Sequence, residues 1–517
     1  MEDRQTALGP AQITLGHGRP LDWPTLDAAL DRRLQIEIEP RSWTRVEQAR
    51  QWVVTLVRGD AAVYGVNTGF GHLKNRRISS ADLDQLQENL ILSHAVGVGP
   101  PAPDSIVRWM LLLKAHMLLA GHSGVRREVI ERLAAWLNAD LLPVVPTRGS
   151  LGASGDLAPL AHLALPLIGR GTMRLDGREA AAAGAQRRLG LAPLTLAAKE
   201  GIALINGTQF MAAYAAQIGV RAARLIDLCD LILCMSIEGL RGSVRPADPR
   251  LHAVRPHPGA LRSAANIRRH MQGSEILASH ADCDRVQDAY SLRCAPQVHG
   301  AVRDTLEHFR SVVLREINSI TDNPLLFNDG ATPEAISGGN FHGEPLALVL
   351  DFLAIALTDL ANICERRVYL LLIGDDGLPK LLLKDTGLNS GFMLPQYTAA
   401  ALINECKVLS TPASIDTIPT SLGQEDHVSM GATAALKCYE VLDRVETVVA
   451  IELLCAAQAL DFRLPLKSGI GPRRAHEVVR ERISHADRDR QFGEDIAAAL
   501  RLVRHSTALR QAAAAAT

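Results

Sequence analysis

Ala153-Ser154-Gly155 is the segment of this chain best suited to covalent chemistry of its own. It lies in the run Gly149-Ser150-Leu151-Gly152-Ala153-Ser154-Gly155-Asp156-Leu157-Ala158-Pro159-Leu160. Three small residues in succession can bend far enough for a backbone amide to attack a carbonyl two residues back. Gly155 has no side chain to crowd its nitrogen and reaches φ/ψ values closed to other residues. Closure of that nitrogen on the Ala153 carbonyl, with loss of water from Ser154, would give a five-membered ring bearing an exocyclic alkene. Such a ring is a strong electrophile, which no unmodified side chain is. The same residues also suit a plain small-residue loop between helices, and spacing alone favours that reading.

Other chemically capable residues lie in short polar strings. Tyr64 opens Tyr64-Gly65-Val66-Asn67-Thr68-Gly69-Phe70-Gly71, a glycine-rich loop that could present its phenol to a ligand or simply turn with the tyrosine over the core. Asn206-Gly207-Thr208-Gln209 precedes a predicted helix, where an asparagine commonly caps. Gln287, Tyr290 and Arg293 are spaced by three and would share one face of a helical turn. An arginine there could grip a carboxylate with two parallel bonds or make an ordinary surface ion pair. Asn340-Phe341-His342 follows Ser337-Gly338-Gly339 and opens a long apolar run. Gln424-Glu425-Asp426-His427 precedes another predicted helix, whose dipole accounts for two carboxylates unless a cationic ligand does.

Helices are expected to position these loops. Apolar residues make up 47% of the 517 and aromatics only 4%, so Leu, Ala, Val and Ile must fill the core, a composition that favours helices over sheets. A helix is predicted from the Ser79-Ser80-Ala81-Asp82 start through Leu83, Leu86, Leu90 and Ile91 to Ser93-His94, stopped by Gly97 and Gly99. Two more are predicted in 105–140, followed by an extended approach through Pro143 and Pro146. A short insertion at 168–198 is expected to hold the only hairpin-like pieces. Long helices follow at 208–240, 299–320, 343–372, 396–411 and 431–461. The stretch Leu346 to Leu357 is apolar almost all round and is expected to be buried on every side. The fold class is therefore mostly α, a long-helix bundle with functional loops at its helix ends. Three regions are expected: an N-terminal helical and loop region, 1–205, carrying the Ala-Ser-Gly loop; a central long-helix bundle, 206–470; and a charged helical C-terminal tail, 471–517.

Charge and cysteine usage narrow the partners. With 55 basic and 56 acidic residues well mixed, nothing suggests a nucleic-acid or acidic-membrane partner. The eight cysteines are scattered with no C-x-x-C pair. His280 and Cys283 lack a second ligand pair at zinc spacing, so no metal is expected, and free thiols point to the cytoplasm. Residues 1–20 contain Glu2, Asp3 and Pro10 and no apolar core, and are not expected to be a secretory signal. The most apolar stretch, Pro345 to Ala361, carries Asp351 and Asp359 and is expected to be too short to span a bilayer.

Taken together, these strings resemble those of the aromatic amino acid ammonia-lyases, from about Tyr64 to Arg463. The resemblance implies that Ala153, Ser154 and Gly155 cyclise unaided to 4-methylidene-imidazol-5-one, with no external cofactor. It implies Tyr64 as the base that removes the β-proton, with Asn206 and Tyr290 supporting the electrophilic ring and the amine. Arg293 would clamp the substrate carboxylate, Gln287 would help build the pocket, and Phe341 would pack near the ring. It also implies a homotetramer whose active sites draw on several subunits.

The chemistry needs these parts because the β-proton is barely acidic and the amine leaves poorly unless it carries positive charge. A positioned base contributes about 10²–10⁴-fold and cannot suffice alone. Tyr64 must act as phenolate against an ordinary pKa near 10, so positive charge or donors are expected beside it. Three features resemble the branch of the family that acts on histidine: Ser93-His94, Glu425 in place of an aspartate, and Asn67 in the tyrosine loop. His94 and Glu425 would then bind the imidazole, a pairing that disfavours an unadorned phenyl ring. Ala289, where that branch has proline, and Thr411, where it commonly has histidine, leave a lyase or 2,3-aminomutase on tyrosine or phenylalanine as the alternative.

Overall fold

Apolar residues at helical spacing build most of the chain into helices. The longest are Gln209–Gly239, Ala295–Ile317, Glu344–Ile373 and Gly431–Asp461. The computed structural model describes residues 9–59, 62–68, 78, 79, 82–330 and 332–514. Gly69, Phe70 and Gly71 of the tyrosine loop, Ser80 and Ala81 of the predicted helix start, and the last three residues lie outside the described residues. The mostly helical architecture expected from composition is the one observed, with Met393–Leu409 as the fifth long helix. Ala295–Ile317 stops three residues short of the expected end because Asn318 turns aside. Its side chain accepts from Leu21 N at 2.7 Å and donates to Leu21 O at 2.9 Å.

By internal contacts the chain divides into two compact units. One comprises Met1–Val220, Arg310–Leu350 and Ala413–Leu436; the other comprises Arg221–Phe309, Asp351–Pro412 and Lys437–Thr517. In the first, the predicted helices appear as Leu83–His94, Asp104–Leu118 and Arg127–Asn138. The first of these ends at His94, where expected, with Ala95 as its cap. The proline-led approach is extended, as Leu142–Pro143 and Pro146–Arg148. The insertion folds into the hairpin Thr172–Leu175 with Arg178–Ala181.

Two expectations require correction. The insertion does not hold the only hairpin among the described residues, because Leu325–Phe327 pairs antiparallel with Glu334–Ile336. Three-residue strands carry too little alternation to be read from sequence. The helix Glu344–Ile373 is not buried all round: Leu348, Phe352, Ile355, Tyr369 and Ile373 are exposed. An all-apolar helix hides which of its faces is covered. At 30 residues it is also long and apolar enough to cross a membrane by length and composition, but 61% of its most apolar window is buried inside the fold, as in a core helix.

Buried charge fixes the short helix Glu200–Ile205, which delivers Asn206. Lys199 and Asp322 are fully buried and paired at 2.7 Å. Glu200, also buried, accepts from Arg126 N, from the Arg126 guanidinium at 2.8–2.9 Å, and from Ala197 N. Removing one member of a buried pair strands the other without solvent or partner. Lys199→Met is expected to cost about 3–5 kcal/mol, read as a lower urea midpoint, and Lys199→Met/Asp322→Asn to recover much of it.

Candidate active site

The Ala-Ser-Gly segment is a strained turn. Gly152, Ser154 and Gly155 all have positive φ, at 76°, 51° and 82°, a region costly for a serine. Gly152 bridges Gly155 across the turn, and Gly155 bridges Gly207. A Cβ on Gly155 would lie 2.2 Å from the Gly207 carbonyl oxygen, so only glycine fits there.

Asp156, the next residue, anchors the turn. Its backbone N–H donates to Gly207 O at 2.8 Å. Its buried carboxylate accepts from the N–H groups of Phe210 and Met211, at 3.1 and 3.0 Å, in the first turn of Gln209–Gly239, and from Ser150 Oγ at 3.1 Å. Burial still pushes its pKa up to about 7, against those bonds and the charge of Lys114. Lys114 is likewise held down to about 7, chiefly by burial. Its ammonium donates to Asn206 O at 2.7 Å and Ala203 O at 3.3 Å, at the negative end of the short helix. Sequence reasoning passed over both residues. The signals available were an aspartate directly after the triplet and a lone lysine inside the apolar helix Asp104–Leu118.

Several predicted residues gather around the turn. Asn206 is buried in extended conformation one residue before Gly207, so it enters the site beside Gly155 and does not serve only as a cap. Ser154 Oγ donates to Glu425 Oε1 at 3.0 Å, and Glu425 Oε2 accepts from Thr420 Oγ1 at 3.0 Å. Glu425 therefore faces the turn and does not cap the following helix. His94 ends the helix Leu83–His94, with Nδ1 2.8 Å from Leu90 O. A carbonyl can only accept, so Nδ1 carries the hydrogen and the neutral ring keeps Nε2 as its acceptor. Burial lowers the His94 pKa, opposed by the Leu90 bond and the charge of Glu425. Just beyond, Gly97 N donates to His162 Nε2 at 3.0 Å, and Gly149 passes so close that its Cβ would meet Gly97 Cα at 3.3 Å.

Tyr64 is half-buried on a turn closed by Asn67, whose Oδ1 accepts from Val63 N at 2.7 Å. Gly65, with φ of 71°, packs where a Cβ would strike Pro324 Cδ at 2.7 Å. Phe341 is half-buried. Two residues on, Gly343 packs where a Cβ would strike Met211 Sδ at 2.4 Å and Ser429 Oγ at 3.2 Å.

In the other unit, Gln287, Tyr290 and Arg293 come together around the single turn Tyr290–Arg293. The Arg293 guanidinium lies 4.5 Å from the Tyr290 ring centroid and donates to Gln287 Oε1. No carboxylate pairs with it among the described residues, which removes the surface ion-pair reading. Tyr290 is 71% exposed.

A helical fold around a strained Ala-Ser-Gly turn defines a lyase architecture shared with solved enzymes. Residues 21–481 match the family model of aromatic amino acid lyases, and the chain belongs to that family. It is 51% identical over 469 residues to a histidine ammonia-lyase of Myxococcus xanthus, covering 90% of this chain and 92% of that one. The crystal structure of histidine ammonia-lyase from Trypanosoma cruzi superposes with a TM-score of 0.90 at 40% identity, covering 98% of this chain and 96% of that one. A tyrosine aminomutase from Streptomyces globisporus gives the same TM-score at 34% identity, covering 98% and 99%.

The depressed His94 pKa has a consequence for stability. The unfolded imidazole titrates near 6.5 and the native one lower, so below about pH 6.5 the unfolded chain binds more protons and stability falls with pH. The loss continues until the native ring itself is protonated. His94→Gln removes this contribution. The gap in denaturation midpoint between wild type and His94→Gln is expected to move against the wild type between about pH 7.5 and about pH 5.5.

Proposed function

We infer that this protein is an ammonia-lyase that converts L-histidine to trans-urocanate and ammonia without oxidation. The observation that carries the reading is the meeting of His94, Glu425 and Ser154 in one place. Relatives named histidine ammonia-lyase at about half identity over nine-tenths of the chain support it.

The residues fit the family's prosthetic group. The positive φ values at Ser154 and Gly155, and a cradle against Gly207 that excludes any Cβ, suit a triplet that must bend its own backbone into a ring. Ala153, Ser154 and Gly155 would form 4-methylidene-imidazol-5-one, which supplies an electrophilic carbon to the substrate. The remaining work belongs to ordinary side chains. Tyr64 removes the β-proton. Asn206 and Tyr290 support the amine and its surroundings by hydrogen bonding. Arg293 holds the substrate carboxylate, with Gln287 fixing the guanidinium and Phe341 packing beside the substrate. His94 offers an acceptor and Glu425 a carboxylate, matching an imidazole with one N–H and one lone pair.

We propose that it works as a homotetramer in the cytoplasm. Exposed Phe352, Ile355, Tyr369 and Ile373 on one long helix, and Leu394 and Tyr397 on another, are apolar surface that further copies of the chain would cover. The exposed Tyr290 and the half-buried Arg293 would complete sites built across subunits. All eight cysteines are free, as suits a reducing compartment.

Purified protein given L-histidine should develop the near-ultraviolet absorbance of a conjugated urocanate. Tyr64→Phe should fold and lose about 10²–10⁴-fold in kcat, and near-normal turnover would remove Tyr64 from the base role. No signal with histidine but one with tyrosine or phenylalanine would overturn the substrate. A β-amino acid product in the mass spectrum would make the protein an aminomutase. Glu425→Ala should cost histidine turnover roughly 10–100-fold in kcat/KM, the worth of a charge-assisted hydrogen bond, and full retained activity would discredit the imidazole contact.

A further inference from the structure

Three residues to which the proposed reaction gives no role form a separate cluster. His342, Glu344 and His427 each offer one ligand atom, and these atoms all lie within 4.8 Å of one another. The two imidazoles are stacked, with centroids 5.7 Å apart and planes 3° from parallel. Glu344 Oε2 is buried and has no hydrogen-bond partner among the described residues. A buried carboxylate oxygen without a donor is costly. It also begins the helix Glu344–Ile373, whose own N–H groups lie nearby but leave this oxygen unserved.

We propose that His342, Glu344 and His427 form a divalent transition-metal site of the zinc class. Two imidazoles and one carboxylate are a donor set that zinc and its neighbours accept, leaving remaining positions to water. Ligand bonds of about 2.0–2.2 Å require the three atoms to draw together by about an ångström. His427 is exposed and His342 half-buried, so both rings have room to turn. Among the described residues, the only hydrogen bond to the His342 ring is a long one, from Glu344 N to Nδ1 at 3.4 Å. The helix N-terminus repels a cation, so the Glu344 carboxylate is what makes the site competent. A bound ion would tie the segment carrying Phe341 to the segment carrying Glu425, two residues before His427, and so hold both in place.

The test uses chelator-treated full-length protein titrated with Co²⁺, followed by its visible ligand-field spectrum, and with Zn²⁺, followed by Tm. One Co²⁺ per chain and a Zn²⁺-dependent rise in Tm are expected. Glu344→Gln and His427→Asn should each weaken binding by more than the roughly 10–100-fold that losing a ligand's hydrogen-bond partner costs. His257→Asn, at an exposed histidine elsewhere, should bind as wild type. Absence of binding at millimolar metal, or binding as tight as wild type in the two ligand variants, overturns the site. If either variant fails a circular-dichroism check of folding, anomalous diffraction from zinc-soaked wild-type crystals decides. A peak among the three residues supports the site, and a peak only elsewhere overturns it.

Discussion

Everything in the Ala-Ser-Gly region hangs on the buried carboxylate of Asp156. It joins the turn to the first N–H groups of Gln209–Gly239 through Phe210 and Met211, and to the turn's own start through Ser150. Those helix N–H groups have no partners within the helix, so the carboxylate satisfies them while it fixes the residue next to Gly155. Burial nonetheless outweighs its three hydrogen bonds, because its pKa rises to about 7. Holding the group ionised therefore costs on the order of 4 kcal/mol more than in water. A fold retains such a group where position matters more than stability, and here what is positioned is the strained turn.

The surrounding charges follow from that choice. Lys114 is buried near Asp156, and burial holds its pKa down to about 7 against the attraction of that carboxylate. The lysine donates to Ala203 O in Glu200–Ile205 and to Asn206 O at its cap, and the Lys199–Asp322 pair secures the start of the same helix. The result is a short helix pinned at both ends, which places Asn206 and Gly207 against Gly155. Each pin is an electrostatic contact in a dry interior, where a missing partner is felt fully.

How much of this could be read from sequence depended on whether the signal was local. The turn was legible only together with the Tyr64, Asn206, Tyr290, Arg293 and Glu425 strings, since small residues alone also suit a plain loop, and the approach of Gly207 that leaves room only for glycine at 155 is a tertiary contact. The long helices were legible from sustained apolar composition. The covered face of Glu344–Ile373 was not, since Phe352 and Ile355 are as apolar as their buried neighbours Leu353 and Ala354. Glu425 read equally well as a helix-end carboxylate, and only the tertiary approach of Ser154 distinguishes the two. Asp156 and Lys114 were single charges in small-residue or apolar runs, whose partners, Ser150 apart, lie 50 or more residues away. The His342–Glu344–His427 cluster escaped for the same reason, with its third member supplied by a distant loop.

The Gln287, Tyr290 and Arg293 trio on the other unit shows a complementary use of charge. Arg293 is held in place by a neutral amide and an aromatic face, Gln287 and Tyr290. A carboxylate partner would have fixed the guanidinium as well but neutralised it. Stacking on a ring contributes about 0.5–1 kcal/mol at an exposed position, enough to restrict the side chain while leaving its full positive charge and most of its donors to a ligand. An arginine ordered without being paired is what recognition of a small carboxylate requires, because the cost of ordering the long side chain is met before the ligand arrives.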